Sequence, residues 1–286
     1  MKKYIALTLA LLMSLSLMAC GSKTDDGSTD ADGSGDQEGS NTLVLGTSAD
    51  YAPFEFMYPD DSGEMVYGGI DVSVAKYIAD EMGLTLQVEN MGFDYLLPSL
   101  DKGDFDIVLA AMEATPERLE TADFSDPYYT DEAPLIVVRK ADLDQYKTLE
   151  DFSGKTVGAQ TGTTKADIVL GTDPEKPHMT DVQDLLLPKV TDLIAQLQFE
   201  KCDAVVLDAA VAQKYVASND ELAIVESIDL GEAAEPYRVW VAKGDPKGLL
   251  PGINAAIAKM NEANMLENFI ADAGKLADVA VNVTAD

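Results

Sequence analysis

The chain has 286 residues, 51 acidic against 20 basic side chains, a net charge of −31 and 47% hydrophobic residues. That apolar share can build the cores of one large or two medium domains. A balance this acidic excludes nucleic acid as a partner, since phosphates call for clustered Lys and Arg, and excludes docking on anionic lipid through a basic patch. It hints at a cationic ligand, although whole-chain charge reports solubility and steering rather than the content of a pocket.

Residues 1–19 read as an address rather than as fold. Lys2 and Lys3 precede an apolar run from Tyr4 to Leu17, which is too short for a spanning helix of about 20 residues. Leu17-Met18-Ala19-Cys20-Gly21 then resembles a bacterial lipoprotein signal, with cleavage before Cys20 and a lipid such as palmitate on that cysteine. From Gly21 to Asn41 the chain holds only small, polar and acidic residues plus one lysine. Such a segment cannot bury enough surface to offset its ordering entropy, so 20–41 is expected to be a disordered acidic tether.

From Thr42 the texture changes. Thr42–Thr47 reads as a buried strand, Ile70–Met82 as a helix stopped by Gly83, and Leu84–Val88 as a strand. Tyr95–Lys102 is a short helix, and Phe105–Ala111 a strand. The pattern then restarts with strands at Leu135–Val138 and Lys155–Ala159 and a helix from about Lys165. A helix at Val190–Phe199, a strand at Ala204–Leu207 and a helix at Ala209–Val216 follow. Arg238–Val241 is a strand, and Leu249–Leu276 is helical. Two runs of alternating strand and helix imply two α/β lobes with a cleft between them.

Three strand-to-helix junctions carry unusual polar content, at the place where open α/β sheets bind ligands. After Asp106–Met112, Thr115 suits an N-cap and Pro116 a first helical residue, which puts Arg118 in the first turn. The helix dipole disfavours a cation there, so either a nearby anion or a surface salt bridge accounts for it. Thr161-Gly162-Thr163-Thr164 forms a small anion nest or a plain capping turn, and lacks the ending of a Walker loop. Asp208 closes an apolar strand and opens a helix, which makes it an N-cap or an acceptor for an ammonium. Together the three suit an α-amino-acid zwitterion.

At these residues the chain resembles family 3 extracellular solute-binding proteins, the amino-acid-binding components of ABC importers. The resemblance is carried by Gly46-Thr-Ser-Ala-Asp-Tyr-Ala-Pro-Phe-Glu55, Gly69-Ile-Asp-Val72 and Thr115-Pro-Glu-Arg118 followed by Asp123-Phe-Ser-Asp-Pro-Tyr-Tyr129. Gly154–Gly158, Gly162-Thr-Thr164 and Asp203–Asp208 complete it. It implies an α/β, two-lobed, type II periplasmic-binding-protein-like fold with two hinge crossings and the ligand in the interlobe cleft. The first lobe would be 42–138 plus 237–286 and the second 139–236.

The resemblance further implies that Arg118 binds the ligand carboxylate, with backbone N–H groups of Glu113 and Thr164, and that Asp208 binds the ammonium. Tyr51 and Phe93 would clamp the side chain, with Ser48, Ala111, Gln160, Thr163 and Lys165 around them. Glu113 replaces the usual Ser or Thr, and so could share the ammonium with Asp208, two acids together raising one pKa. Arg238 and Trp240 replace small residues, and would either narrow the pocket or pack on the surface.

The expected partners are a polar L-amino acid, the transmembrane subunits of an ABC permease, and the membrane through the Cys20 lipid, the protein itself acting as an extracytoplasmic monomer. Catalysis is not expected. The rival reading is an enzyme on this fold, a dehydratase or a peptidoglycan lyase, with Glu113 as its one acid–base candidate. Two cysteines and the single His178 are too few for a zinc site, and Asp173 and Asp181 miss the calcium-loop spacing, so no metal or cofactor is expected.

Overall fold

The structure is a computed structural model and describes residues 41–173, 177–231 and 235–283. The expected signal peptide, Cys20 and nearly all of the tether lie outside the described residues.

In chain order, β1 (Thr42–Thr47), β2 (Asp50–Tyr51), β3 (Glu55–Pro59) and β4 (Met65–Gly68) lead into α1 (Ile70–Glu81). Next come β5 (Thr85–Asn90), α2 (Leu96–Lys102), β6 (Ile107–Val108), α3 (Pro116–Thr121), β7 (Ala122–Thr130) and β8 (Leu135–Arg139). The middle of the chain holds β9 (Thr156–Gln160), α4 (Thr164–Leu170), β10 (Gln183–Leu187), α5 (Val190–Gln198), β11 (Ala204–Leu207), α6 (Ala209–Ala217) and β12 (Leu222–Ile224). β13 (Pro236–Ala242), α7 (Leu250–Glu262) and α8 (Met265–Val283) complete it.

The strands form two five-stranded sheets, β5-β1-β6-β13-β7 and β10-β9-β11-β8-β12, and a small sheet β2-β3-β4. β1 pairs in parallel with β5 and β6, as strand–helix alternation requires. Its Leu43 and Leu45 are fully buried against α1, which turns Ile70, Val74, Ala75, Ile78 and Ala79 inward at helical spacing. α1 starts at Gly69, with φ +124°, where a Cβ would stand 2.0 Å from the Phe54 carbonyl oxygen; only glycine fits.

Three expectations differ from the structure, and one long strand was not expected. The strand foreseen over 105–111 is confined to Ile107–Val108, flanked by Asp106 and Leu109, whose N–H groups donate to Val44 and Gly46 of β1; it ends before Ala111, which takes φ 46° and gives its N–H to Asp71 Oδ2 at 2.7 Å. The long C-terminal helix is two, divided at Asn264, which has φ 50°. β8 was expected in the first lobe, but it pairs antiparallel with β11 and β12 in the second sheet. The nine-residue β7 is absent from the sequence reading because Pro127 interrupts its pattern; its pairing with β13 carries register shifts near that point. The chain thus passes between the large sheets twice, from Thr130 to Leu135 and from Ile224 to Pro236.

Candidate functional site

The three polar junctions converge between the sheets. α3 opens as its sequence requires: Thr115 Oγ1 accepts the Arg118 N–H at 3.2 Å, with Pro116 at the first helical position. This turns the Arg118 guanidinium back over the strand end. Its Nη1 donates to the Glu113 carbonyl oxygen at 2.8 Å and to Glu113 Oε2 at 3.2 Å. Its Nη2 crosses to the second lobe and donates to the Gly162 carbonyl oxygen at 3.2 Å. The Phe93 ring lies beneath, 5.4 Å from the guanidinium carbon. Gly162, with φ +80°, comes so close to the first lobe that a Cβ there would meet Asp94 Cβ at 3.2 Å.

Thr163 caps α4 through Ala166 N, and its hydroxyl donates to the Gln160 carbonyl oxygen at 2.7 Å. That cap places Thr164 and Lys165 in the first turn, facing the cleft. Thr164 Oγ1 donates to Glu113 Oε1. Lys165 Nζ lies 3.1 Å from Glu113 Oε1 and 2.7 Å from Asp208 Oδ1, with the residue only 4% exposed. Asp208 occupies the N-cap position of α6 but makes no side-chain cap bond there. Its carboxylate instead takes Lys165 and the Tyr51 hydroxyl, the latter at 2.5 Å.

Burial alone would push the Glu113 carboxyl up, yet Lys165 and Arg118 outweigh it and hold the group well below the usual range. The sequence expectation of one raised pKa in a Glu113–Asp208 pair is therefore corrected for Glu113: cations separate the two acids. Burial likewise lowers the Lys165 ammonium, but Asp208 and Glu113 outweigh it and its pKa is raised. Burial next to Asp208 pushes the Tyr51 phenol well up, so it stays a neutral donor.

A cavity of about 210 Å³ adjoins this cluster, lined in part by Glu113, Asp208, Lys165, Asp131, Glu132 and Glu235. Asp131 accepts the Ala210 N–H and the Tyr237 hydroxyl, each at 3.2 Å. Asp131, Glu132, Glu235 and Tyr237 escaped the sequence reading because they flank the two crossings, where no strand–helix pattern singles them out.

Tyr51, Phe93, Glu113, Arg118, Thr164, Lys165 and Asp208 are thus brought together. Thr163 shapes the turn beneath them. Ala111 stays on the first-lobe strand end, bonded to Asp71. Gln160 turns away, its Nε2 donating to the Pro188 carbonyl oxygen at 2.9 Å, and Ser48 Oγ donates to Asp50 Oδ1 at 3.0 Å. Asp50 Oδ2 reaches the second lobe and accepts the first N–H of α5, from Val190, at 2.7 Å. Trp240 is fully buried against Phe124, and Arg238 stacks over that same ring at 4.6 Å, so neither narrows the cavity. Among the described residues no group of His, Cys, Asp or Glu is placed to hold a metal ion.

Two lobes joined by two crossings, with opposite charges from both meeting in the gap, define a solute-binding protein of the two-lobed periplasmic type. The chain belongs to the bacterial extracellular solute-binding proteins, family 3, whose profile matches residues 43–271. It is 35% identical over 268 residues to the arginine-binding extracellular protein ArtP of Bacillus subtilis, covering 93% of this chain and 96% of that one. It is 30% identical over 232 residues to the L-cystine-binding protein TcyJ of Escherichia coli, covering 79% and 80%. A crystal structure of the amino acid ABC transporter substrate-binding protein AbpA of Streptococcus pneumoniae, bound to L-arginine, superposes with a TM-score of 0.76 at 33% identity. That match covers 84% of this chain and 96% of AbpA. Family and relatives bind solutes, so the chain is a binding protein and not an enzyme. Among the described residues no helix is long and apolar enough to cross a membrane.

Proposed function

We propose that this protein captures a cationic α-amino acid in the cleft and presents it, with the lobes closed, to an ABC permease. One observation carries the reading: Arg118 from the first lobe and Asp208 from the second end one buried row of charges that crosses the gap through Glu113 and Lys165. The ligand carboxylate takes the Arg118 fork with the N–H groups of Glu113 and Thr164, and the ammonium takes Asp208. Tyr51 and Phe93 flank the side chain, and Thr163 shapes the turn that presents Thr164 and Lys165.

Asp131, Glu132 and Glu235 along the cavity favour a cationic side chain, in keeping with the arginine-binding relatives. Closure then follows from contacts that exist only when both lobes reach the ligand. With β8 counted in the second sheet, the hinge lies at the 130–135 and 224–236 crossings. The Cys20 lipid and the acidic tether hold a monomeric body outside the cell membrane.

A thermal-shift screen across the amino acids tests the reading. Arginine, lysine or ornithine is expected to raise the melting temperature most, since a ligand at 100 times its Kd adds about 2.7 kcal/mol to the native state. A screen in which no amino acid shifts the melt rejects it.

A further inference from the structure

Arg118, Glu113, Lys165 and Asp208 stand in a row of alternating sign. The links measure 3.2 Å from Arg118 to Glu113, 3.1 Å from Glu113 to Lys165 and 2.7 Å from Lys165 to Asp208. No side chain in the row is more than 10% exposed. The outer two are the anchors assigned above to the ligand carboxylate and ammonium. The inner two present a carboxylate to the first anchor and an ammonium to the second. We infer that Glu113 and Lys165 form a resident stand-in for the zwitterionic head of the ligand, and that they set both the affinity of the site and its demand for a zwitterion. The inference rests on the reading of Arg118 and Asp208 as anchors and goes beyond it.

The physical argument is charge balance under burial. A buried charge that loses its partner is costly, whereas exchanging one partner for another of like sign is not. An incoming amino acid replaces only the two outer links. Its carboxylate takes Arg118 from Glu113, its ammonium takes Asp208 from Lys165, and Glu113 and Lys165 keep each other. Every buried charge remains paired in both arrangements. A simple amine would bring a third cation to two anions, and a simple carboxylic acid a third anion to two cations, so both are rejected. The same exchange makes the protein's own pair a competitor that each ligand must displace.

Deleting one member changes the count in a defined way. Without the Lys165 ammonium the row holds one cation and two anions, and an amine restores the balance. Without the Glu113 carboxylate it holds two cations and one anion, and a carboxylic acid restores it. A side chain that served only to pack the cleft would produce no such exchange of ligand class.

The experiment is calorimetric titration of the wild type, Glu113→Gln, Lys165→Met and the double variant. The probes are L-arginine, its decarboxylated amine and its deaminated acid. Expected are at least about tenfold tighter arginine binding by the double variant, a gain of about 1.4 kcal/mol, and gains of similar size for the amine with Lys165→Met and for the acid with Glu113→Gln. Melting curves establish which variants fold; should one not, the shift in preference of the others decides. Folded variants that bind arginine no tighter and show no exchange of preference overturn the inference. Arg118→Ala separates the two levels: undiminished arginine binding there removes the anchors themselves, whereas abolished binding there with no exchange in the other variants removes the stand-in alone.

Discussion

Glu113 and Glu55 are both buried glutamates, and they end in opposite states. Glu113 lies between Arg118 and Lys165, which hold its carboxyl well below the usual range against the pull of burial. Glu55 is fully buried in the first lobe beside Asp71, and neither of its oxygens has a donor partner. Burial first, and then the neighbouring Asp71 and Asp50 charges, push its pKa well up. Asp71 fares better because the Ala111 N–H at 2.7 Å and the Tyr128 hydroxyl at 2.8 Å both donate to it, yet burial still raises it to about 6. Burial is common to both places. The sign of the neighbours decides which way the pKa of a buried carboxyl moves.

The contrast can be broken at either end. Arg118→Ala leaves the ligand carboxylate without its guanidinium and should cost at least about 2–4 kcal/mol of binding, read by calorimetry. Near-normal affinity would mean that the charged row does not recognise the ligand. Asp71→Ala takes away both acceptors, so the Ala111 N–H and the Tyr128 hydroxyl are left without their partner. A stability loss of about 1–3 kcal/mol is expected in chemical denaturation. A smaller effect follows at Asp50, whose bond to Val190 N exists only with the lobes together. Asp50→Ala should cost about 1 kcal/mol of closure, seen as a roughly fivefold weaker Kd.

The smallest effect is expected at Glu55→Gln, because an amide resembles a carboxyl that keeps its proton; stability should change by about 1 kcal/mol or less. Its signature is in the pH dependence. Glu55 binds its proton more tightly folded than unfolded, so its contribution falls as pH rises above the ordinary value of 4.5. Asp50 and Asp71, both raised from 3.8 to about 6, add the same slope across that interval. Glu113 runs the other way: its stabilisation is full above 4.5 and is lost as pH falls. Denaturation curves between about pH 4 and 7 should therefore flatten in Glu55→Gln; an unchanged slope would show that Glu55 is ionised in the fold.

The three junctions were legible in the sequence because each is a local device. A threonine cap with Pro116 behind it, a Thr-Gly-Thr-Thr turn and an acid at a strand end all declare themselves within a few residues. Most helices and the central strands were legible for the same reason, their apolar spacing being a property of short windows. What the sequence could not show depends on pairs far apart in the chain. Lys165 and Glu113 are separated by 52 positions, and Tyr51 and Asp208 by 157. Local reasoning left Asp208 as a cap or an ammonium acceptor, and the fold shows its carboxylate taking Lys165 and Tyr51 instead of capping its own helix. The placement of β8 failed on similar grounds, since an apolar run states that it is a strand but not which sheet will take it. The small β2-β3-β4 sheet was missed because its strands are short and half-exposed.

Gly162 makes the closed gap a matter of gauge. With no side chain, it leaves open the space where a Cβ would come within 3.2 Å of Asp94 Cβ, and Arg118 can reach its carbonyl in one hydrogen bond. Any larger residue at that point would act as a shim, holding the lobes apart by roughly a few tenths of an ångström and stretching the Glu113–Lys165 and Arg118–Gly162 links that cross the gap. The shutting distance of this cleft is therefore written in an atom that the chain leaves out.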